Sequence, residues 1–338
     1  MSGRPVALVV DDGELTRTWP FVGERLESRL AGTCEVRVVG GPDPAALADA
    51  EALAWFARAE LAPADVAAAP RLRVAGGVVD GLRPAAWPAL RERGIPFVDA
   101  TRAWAPSVAE TGLALAICAL RRIPQLHRAM AEGTEPWIGR QFTDDPDFVN
   151  GDLGTKRVGV LGLGQIGGRI AGWCTALGSD VAAHDPYAPD ERFAAAGAAR
   201  LPLDELCARS EVLVVAVPPT PSAAGMLDAR LVDTLPRGAV VVTITRTAPV
   251  DTAALRRRVL AGELAWATDV YDVEPLPAGD PIRGLRNVVH VPHIAGRTRD
   301  TNLRVADLLA ADFLAVLAGG DASGALTEAA ATVRGGDG

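Results

Sequence analysis

The sequence predicts an α/β protein built as two doubly wound parallel-sheet domains. Short apolar runs alternate with amphipathic stretches along most of the chain, the cadence of strands and helices laid down in turn. The runs are apolar at nearly every position, as expected of strands covered on both faces. The alternation also breaks after Pro124 and starts afresh at Lys156, which points to two sheets.

In the first series, Val6–Val10, Cys34–Val38, Leu72–Ala75 and Pro96–Val98 read as strands. Phe21–Leu30 and Pro84–Arg93 read as helices between them, the second stopped by Gly94. Pro106 to Arg122 reads as one long helix, with Pro106 in its first turn and Pro124 closing it. Gln125 to Asp152, with Trp137, several acids and prolines, reads as an irregular crossing segment or oligomer arm. The second series has strand candidates at Val158–Leu161, Val181–His184, Val212–Val217, Ala239–Thr243, Ala265–Val270 and Val288–Val291. Arg299–Leu317 reads as a final helix, with a frayed glycine-rich tail after it.

The composition, 49% hydrophobic and 22% charged, belongs to a packed globular chain rather than a disordered one. The formal charge of −8 argues against nucleic-acid and anionic-membrane partners, which need a basic surface. No apolar stretch reads as approaching the ~18–20 residues that cross a bilayer. Val6–Val10 meets Asp11 and Asp12 too soon for the apolar core of a signal peptide. Cys34, Cys118, Cys174 and Cys207 form no CxxC pair or His/Cys cluster. They read as small buried hydrophobes in a reducing compartment, so the expectation is a cytoplasmic protein without a metal.

Gly162-Leu-Gly164-Gln165-Ile166-Gly167 matches G-x-G-x-x-G, with a strand before it and a helix, Ile166–Leu177, after it. Gly162 permits a tight turn, Gly164 lets backbone N–H groups approach a diphosphate, and Gly167 lets helix and strand pack closely. The helix N-terminus adds partial positive charge. The next strand ends at Asp185, about 20 residues on, where a carboxylate accepts from a ribose 2′-OH and repels a 2′-phosphate. The expected cofactor is therefore NAD in preference to NADP. His184 reads as a strand-end residue capping exposed backbone rather than a cofactor contact.

Around this loop, further motifs stand in order: Ser107-Val-Ala-Glu110, Val217-Pro218-Pro-Thr220-Pro, Thr245-Arg246 with Asp251 following, Asp269-Val-Tyr-Asp-Val-Glu274-Pro275 and Pro292-His293-Ile-Ala-Gly296. In content and spacing the chain resembles the D-isomer-specific 2-hydroxyacid dehydrogenase family from about Leu72 to the helix after His293. The resemblance implies a Rossmann NAD-binding domain, residues 105–296, inserted into a flavodoxin-like substrate domain, residues 1–104 and 297–338. It implies a homodimer, formed through the Pro106–Arg122 helix and the segment after it, acting on a small anionic substrate. It also implies hydride transfer between NAD(H) and a 2-hydroxy or 2-oxo acid.

Residue by residue, the resemblance makes Arg246 the group that binds the substrate carboxylate and carbonyl, His293 the general acid/base and Glu274 its partner. Arginine suits the first role because its fixed fork pairs two oxygens and stays charged. A carboxylate beside the imidazole orients the ring and favours its charged form. Asp269 corresponds to the acid that meets the nicotinamide carboxamide. Ser107, Gln165, Ile166, Val217, Pro218, Thr220, Ile244, Thr245, His293 and Gly296 complete the expected cofactor contacts, and Val79, Asp80 and Gly81, with Arg246 and His293, the substrate contacts. His290 and His127 read as structural.

Three positions depart from the family pattern. Thr247 stands after Arg246 where glycine is usual, and Ala223 stands where many relatives are polar near the cofactor. The loop that cradles a carboxylate reads Val78-Val79-Asp80-Gly81. Asp80 either points inward, repelling an anion and implying an atypical substrate, or points to solvent and caps the next turn. Trp104 reads either as a pocket wall or as a core residue at a hinge. Two other functions stay open: a dehydrogenase of a donor such as phosphite, and an NAD-sensing protein like the corepressor relatives.

Overall fold

In the computed structural model, residues 3–79, 83–135 and 151–335 are described. The chain divides into two compact units: residues 1–104 with 297–338, and residues 105–296.

The first unit holds a five-stranded parallel sheet of β1 (Val6–Val10), β2 (Glu35–Val39), β3 (Ala52–Trp55), β4 (Val74–Gly77) and β5 (Phe97–Asp99). Its order is β2-β1-β3-β4-β5, the flavodoxin-like arrangement. Successive residues serve opposite faces: Leu8, Val10, Leu53 and Ala75 join one core cluster, and Ala7, Val9, Ala52 and Val74 the other. Such two-sided burial removes the polar/apolar alternation of a half-exposed strand. The helix Arg299–Leu317 presses on the sheet so closely that a Cβ at Gly76 would stand 2.7 Å from Leu309 Cδ2.

The second unit holds seven parallel strands: β6 (Arg157–Leu161), β7 (Asp180–His184), β8 (Ala199–Arg200), β9 (Val212–Val215), β10 (Val240–Thr243), β11 (Ala265–Thr268) and β12 (Val288–His290). Their order is β12-β11-β10-β9-β6-β7-β8. The direction of the series reverses between β6 and β9, and ligands bind at such switch points, outside the carboxyl ends of the strands.

Several expectations need correction. β3 carries no readable strand signal because Ala52-Leu-Ala-Trp55 lies within an alanine-rich stretch whose composition favours helix. β8, with two residues, is too short to carry a pattern. The segment after Pro124 is not irregular at its start: Arg122 turns left-handed (φ 53°) and Ile123–Glu132 forms a second helix with Pro124 in its first turn. Proline suits that place because the first turn leaves its amide unpaired anyway. Trp137 and the rest of 136–150 lie outside the described residues. The tail also carries structure. Leu326 N–H donates to Phe97 O (2.8 Å) and Asp99 N–H to Gly324 O (3.1 Å), covering the open edge of β5. Helix Glu328–Gly335 comes next, tied down by Arg334 Nη1 to Asp99 Oδ2 at 2.7 Å.

One helical stretch, Ala100–Arg121, is long and apolar enough by composition to cross a membrane, with a mean hydropathy of 1.4, contrary to the reading of the bare sequence. Within it, Ala105–Arg121 packs against β10, β11 and the helix Gly167–Ala176, as a core helix does.

Candidate active site

The motif residues of the second unit gather along one edge of its sheet because each motif begins just past the carboxyl end of a strand. Gly162 comes directly after β6, Asp185 directly after β7, and Val217 lies two residues past β9. Arg246 lies three past β10, Asp269 directly after β11, and His293 three past β12. The register pairs Thr243 with Thr268 and Thr268 with His290, so the last three ends are level. Buried hydrogen bonds hold that level: Trp266 Nε1 to Thr243 Oγ1 (2.9 Å) and Thr243 Oγ1 to Thr268 Oγ1 (2.7 Å).

The three glycines of the loop have three different reasons. Gly162 has φ +88°, and a Cβ there would meet Val217 Cγ1 at 2.7 Å. At Gly167 a Cβ would fall 1.9 Å from Gly162 O, so helix and loop could not close. At Gly164 it would meet nothing within 4 Å. The fold itself does not require that glycine, and the open space beside it suits a group brought in from outside. Gln165 is exposed and Ile166 half-buried at the start of the helix Gly167–Ala176. Asp185 is fixed beside them: Oδ2 accepts from Leu163 N–H (2.8 Å), and Oδ1 from Tyr187 and Ala188 N–H (2.9 and 3.0 Å). His184 takes the capping place expected of it, its Nδ1 lying 2.9 Å from Leu201 O.

On the neighbouring strand ends, Thr245 Oγ1 donates to Val217 O (2.8 Å), joining the loops after β9 and β10. Thr220 and Ile244 are buried, and Pro218 is exposed. Arg246 is half-buried, with Nη1 donating to Thr245 O at 2.7 Å. Thr247, in place of the usual glycine, donates from Oγ1 to Tyr271 O (3.3 Å). Ala223 is a buried member of the core, which explains an apolar residue there.

His293 Nδ1 donates to Glu274 Oε2 at 2.7 Å, while Glu274 Oε1 accepts from Tyr271 N–H at 2.9 Å. Burial pushes the Glu274 carboxyl up. The hydrogen bond from His293, the Tyr271 amide, and the charges of His293 and Arg246 outweigh it and hold the group below the usual carboxylate range. An ionised Glu274 can only accept. The shared proton therefore sits on Nδ1, and Nε2 is left for chemistry.

His293 itself has φ +52°, a left-handed conformation that costs energy for a residue with a side chain and persists only where its surroundings enforce it. The enforcement is visible. Asp269, 1% exposed, accepts from Ile294 N–H at Oδ1 (2.6 Å) and from Ala295 N–H at Oδ2 (3.0 Å). Ser107 donates from Oγ to Ala295 O (2.6 Å), just before Gly296. Burial raises the Asp269 carboxyl, against the pull of those two amides. Both Asp269 and Ser107, expected as cofactor contacts, thus hold the loop that carries His293. Tyr271 supports the same loop from the other side, its hydroxyl donating to Val291 O at 2.9 Å. Tyr271 lies inside the motif Asp269–Pro275, but no sequence pattern marks its role, since only the fold brings its amide to Glu274.

In the first unit, Val79 N–H donates to Thr101 Oγ1 at 3.1 Å. Asp80 and Gly81 lie outside the described residues. His290 is partly buried, and burial lowers its pKa.

Comparison with known proteins agrees with this geometry. The chain is 35% identical over 250 residues to a D-3-phosphoglycerate dehydrogenase of Archaeoglobus fulgidus, covering 74% of this chain and 46% of that one. It is 34% identical over 295 residues to that of Mycobacterium tuberculosis, covering 86% and 54%. The chain therefore spans about half the length of these curated relatives. A phosphoglycerate oxidoreductase from Rhizobium etli shares the fold, with a TM-score of 0.80 at 24% identity over 95% of this chain and 98% of that one. An NADPH-dependent glyoxylate/hydroxypyruvate reductase from Sinorhizobium meliloti, in complex with NADP and malonate, has a TM-score of 0.71 at 25% identity over 97% and 98%. The family model for the NAD binding domain matches residues 113–295, more than half of the chain and all of it from the glycine loop to Ala295, so the chain belongs to the D-isomer specific 2-hydroxyacid dehydrogenase family.

Proposed function

We propose that the protein is an NAD-dependent oxidoreductase that interconverts a small 2-hydroxy acid and its 2-oxo acid. The carrying observation is the Glu274–His293 pair at 2.7 Å, level with Arg246 at the end of the adjoining strands. The residues present fit the cofactor. The glycine loop is closed by necessity at Gly162 and Gly167 and open at Gly164, and amides at the start of the adjoining helix suit a diphosphate. When bound, the dinucleotide supplies a hydride to the oxo carbon or takes one from the hydroxy carbon.

The chain's own residues do the rest. Arg246 pairs the substrate carboxylate and polarises its carbonyl through its fixed fork. His293 gives a proton from Nε2 to the substrate oxygen during reduction and removes it during oxidation. Glu274 keeps the ring in the orientation and tautomer that leave Nε2 available. Asp269, Ser107 and Tyr271 hold the loop. Residues 105–296 act as the NAD-binding domain, and residues 1–104 with 297–338 as the substrate domain, in which Val79, Asp80 and Gly81 remain the expected substrate contacts. NADH oxidation measured over a panel of 2-oxo acids tests this reading. Turnover of at least one supports it, while NADH binding with no turnover of any oxo acid favours a sensor instead.

NAD is the preferred cofactor in this reading because Asp185 sets a fixed negative charge beside the loop. Asp185→Ser is expected to lower the ratio of kcat/KM with NADH to that with NADPH by about 10–100-fold, each factor of ten being about 1.4 kcal/mol. Measuring both cofactors on wild type and variant checks this, and an unchanged ratio removes Asp185 as the discriminating residue.

A homodimer is supported by the helix Ile123–Glu132, which buries no residue of its own and exposes Ile123 at 47% and Met130 at 52%. A cytoplasmic location is supported by four unpaired thiols, with Cys34, Cys174 and Cys207 buried.

A further inference from the structure

Arg246 stands between two threonines whose hydroxyls tie its loop to opposite neighbours. In the sheet, β10 lies between β9 and β11. On one side Thr245 Oγ1 donates to Val217 O at 2.8 Å, in the loop after β9. On the other, Thr247 Oγ1 donates to Tyr271 O at 3.3 Å, in the loop after β11. The left-handed φ values of the described non-glycine residues fall at Arg122 and His293, so the backbone at 247 does not call for the glycine usual there. Val250 N–H closes a turn on Thr247 O at 2.8 Å, which fixes the residue by its carbonyl as well as its hydroxyl. A glycine could make the turn but not the tie to Tyr271.

The residue that Thr247 grips leads to the acid/base pair. Tyr271 is buried, with its ring edge-on to Trp266 at 6.4 Å. Its hydroxyl donates to Val291 O at 2.9 Å, two residues before His293. Its amide donates to Glu274 Oε1 at 2.9 Å. The carbonyl is the remaining polar group of Tyr271, and Thr247 takes it.

Resting on the dehydrogenase reading above, we propose that Thr247 is a positioning residue. Through Tyr271 it locks the loop of Arg246 to the Glu274–His293 pair, so the group that binds the oxo acid and the group that protonates it keep one fixed spacing. The charge of Arg246 is felt at the Glu274 carboxyl, which places the two groups in one neighbourhood. A single hydroxyl bond contributes modestly to stability, whereas a small misplacement of reacting groups costs rate steeply. The effect of Thr247 therefore falls on turnover more than on folding.

The test uses the full chain, NADH and the 2-oxo acid that wild type turns over best. Thr247→Val keeps the shape of the side chain and removes its hydroxyl. It is expected to lower kcat by about tenfold, with KM for the oxo acid and Kd for NADH within about threefold of wild type. Its melting temperature stays close to wild type. Thr247→Ser, which restores the hydroxyl, is expected to recover kcat to within about threefold of wild type. Thr247→Gly, which removes the side chain without overpacking, loses at least as much kcat as Thr247→Val. In a Glu274→Gln background, Thr247→Val is expected to cost less than about threefold, because changes within one linked network do not multiply.

An unchanged kcat in Thr247→Val and Thr247→Gly overturns the proposal: a raised KM would then make Thr247 a substrate contact, and a lowered melting temperature would leave it a structural bond. A Thr247→Ser protein as slow as Thr247→Val also overturns it, as does a loss that multiplies fully with that of Glu274→Gln. Each of these results leaves the dehydrogenase reading standing, since wild type still turns over the oxo acid. A wild type that turns over no 2-oxo acid fails that reading, and the role of Thr247 falls with it.

Discussion

His293→Ala is expected to lower kcat for 2-oxo acid reduction by about 10²–10⁴-fold, the range for losing a positioned proton donor, while NADH still binds. Stopped-flow single turnover with the preferred oxo acid, beside an NADH fluorescence titration, checks both halves. Retained turnover would remove the assigned role. Glu274→Gln is the sharper companion. Both carboxylate oxygens accept, one from His293 Nδ1 and one from Tyr271 N–H, and a carboxamide offers only one acceptor oxygen. One of those donors must then face an NH₂ group. The ring loses its orientation or the loop loses its anchor, and kcat falls without a matching rise in KM. The pH dependence has a definite sign. The folded-state pKa of Glu274 lies below its ordinary value, so the contribution of this pair is present above the unfolded pKa and is lost as pH falls through the folded one. Arg246→Lys is expected to raise KM and lower kcat together, since an ammonium cannot pair two oxygens in one plane.

The second large effect separates two glycines of one motif. Gly167→Ala is expected to destabilise the fold by about 1–3 kcal/mol or more, the cost of overpacking, because its Cβ would stand 1.9 Å from Gly162 O, a backbone atom that cannot move aside cheaply. Gly164→Val has no such clash, with nothing within 4 Å of its Cβ. Its melting temperature stays close to wild type while NADH affinity drops by about tenfold or more, because the side chain occupies the approach to the amides of the loop. Thermal melts with and without NADH distinguish the two. A Gly164→Val protein that binds NADH normally would show that the open space is not the diphosphate site.

Much of this fold and site is legible in the sequence for one reason. In a parallel sheet each functional residue stands close behind a buried apolar run. Gly162 after Val158–Leu161, Asp185 after Val181–His184 and Arg246 after the strand ending at Thr243 are written next to the strands that place them. Where the local signal is weak or shared, legibility ends. Ala52–Trp55 is a strand only because its neighbours, β1 and β4, pair with it on both sides. Helix Ile123–Glu132 carries in its first turn a proline that also reads as a stop. The tail after Leu317 is ordered by the open edge of β5, far earlier in the chain.

By itself the sequence determined the two βα series, the glycine loop and the residue types standing at each strand end, because those depend on spacing of a few residues. Only the tertiary structure decided that Glu274 and His293, 19 residues apart, meet at 2.7 Å. The same holds for Asp269, both of whose oxygens hold the loop of His293, 25 and 26 residues away. Both depend on the register that levels Thr268 with His290, a relation between neighbouring strands that no local pattern encodes. A pocket at the strand ends of the first unit is the extreme case. Its aromatic lining comes from residues 19, 55, 56, 97 and 104, which are gathered only when the strands pair.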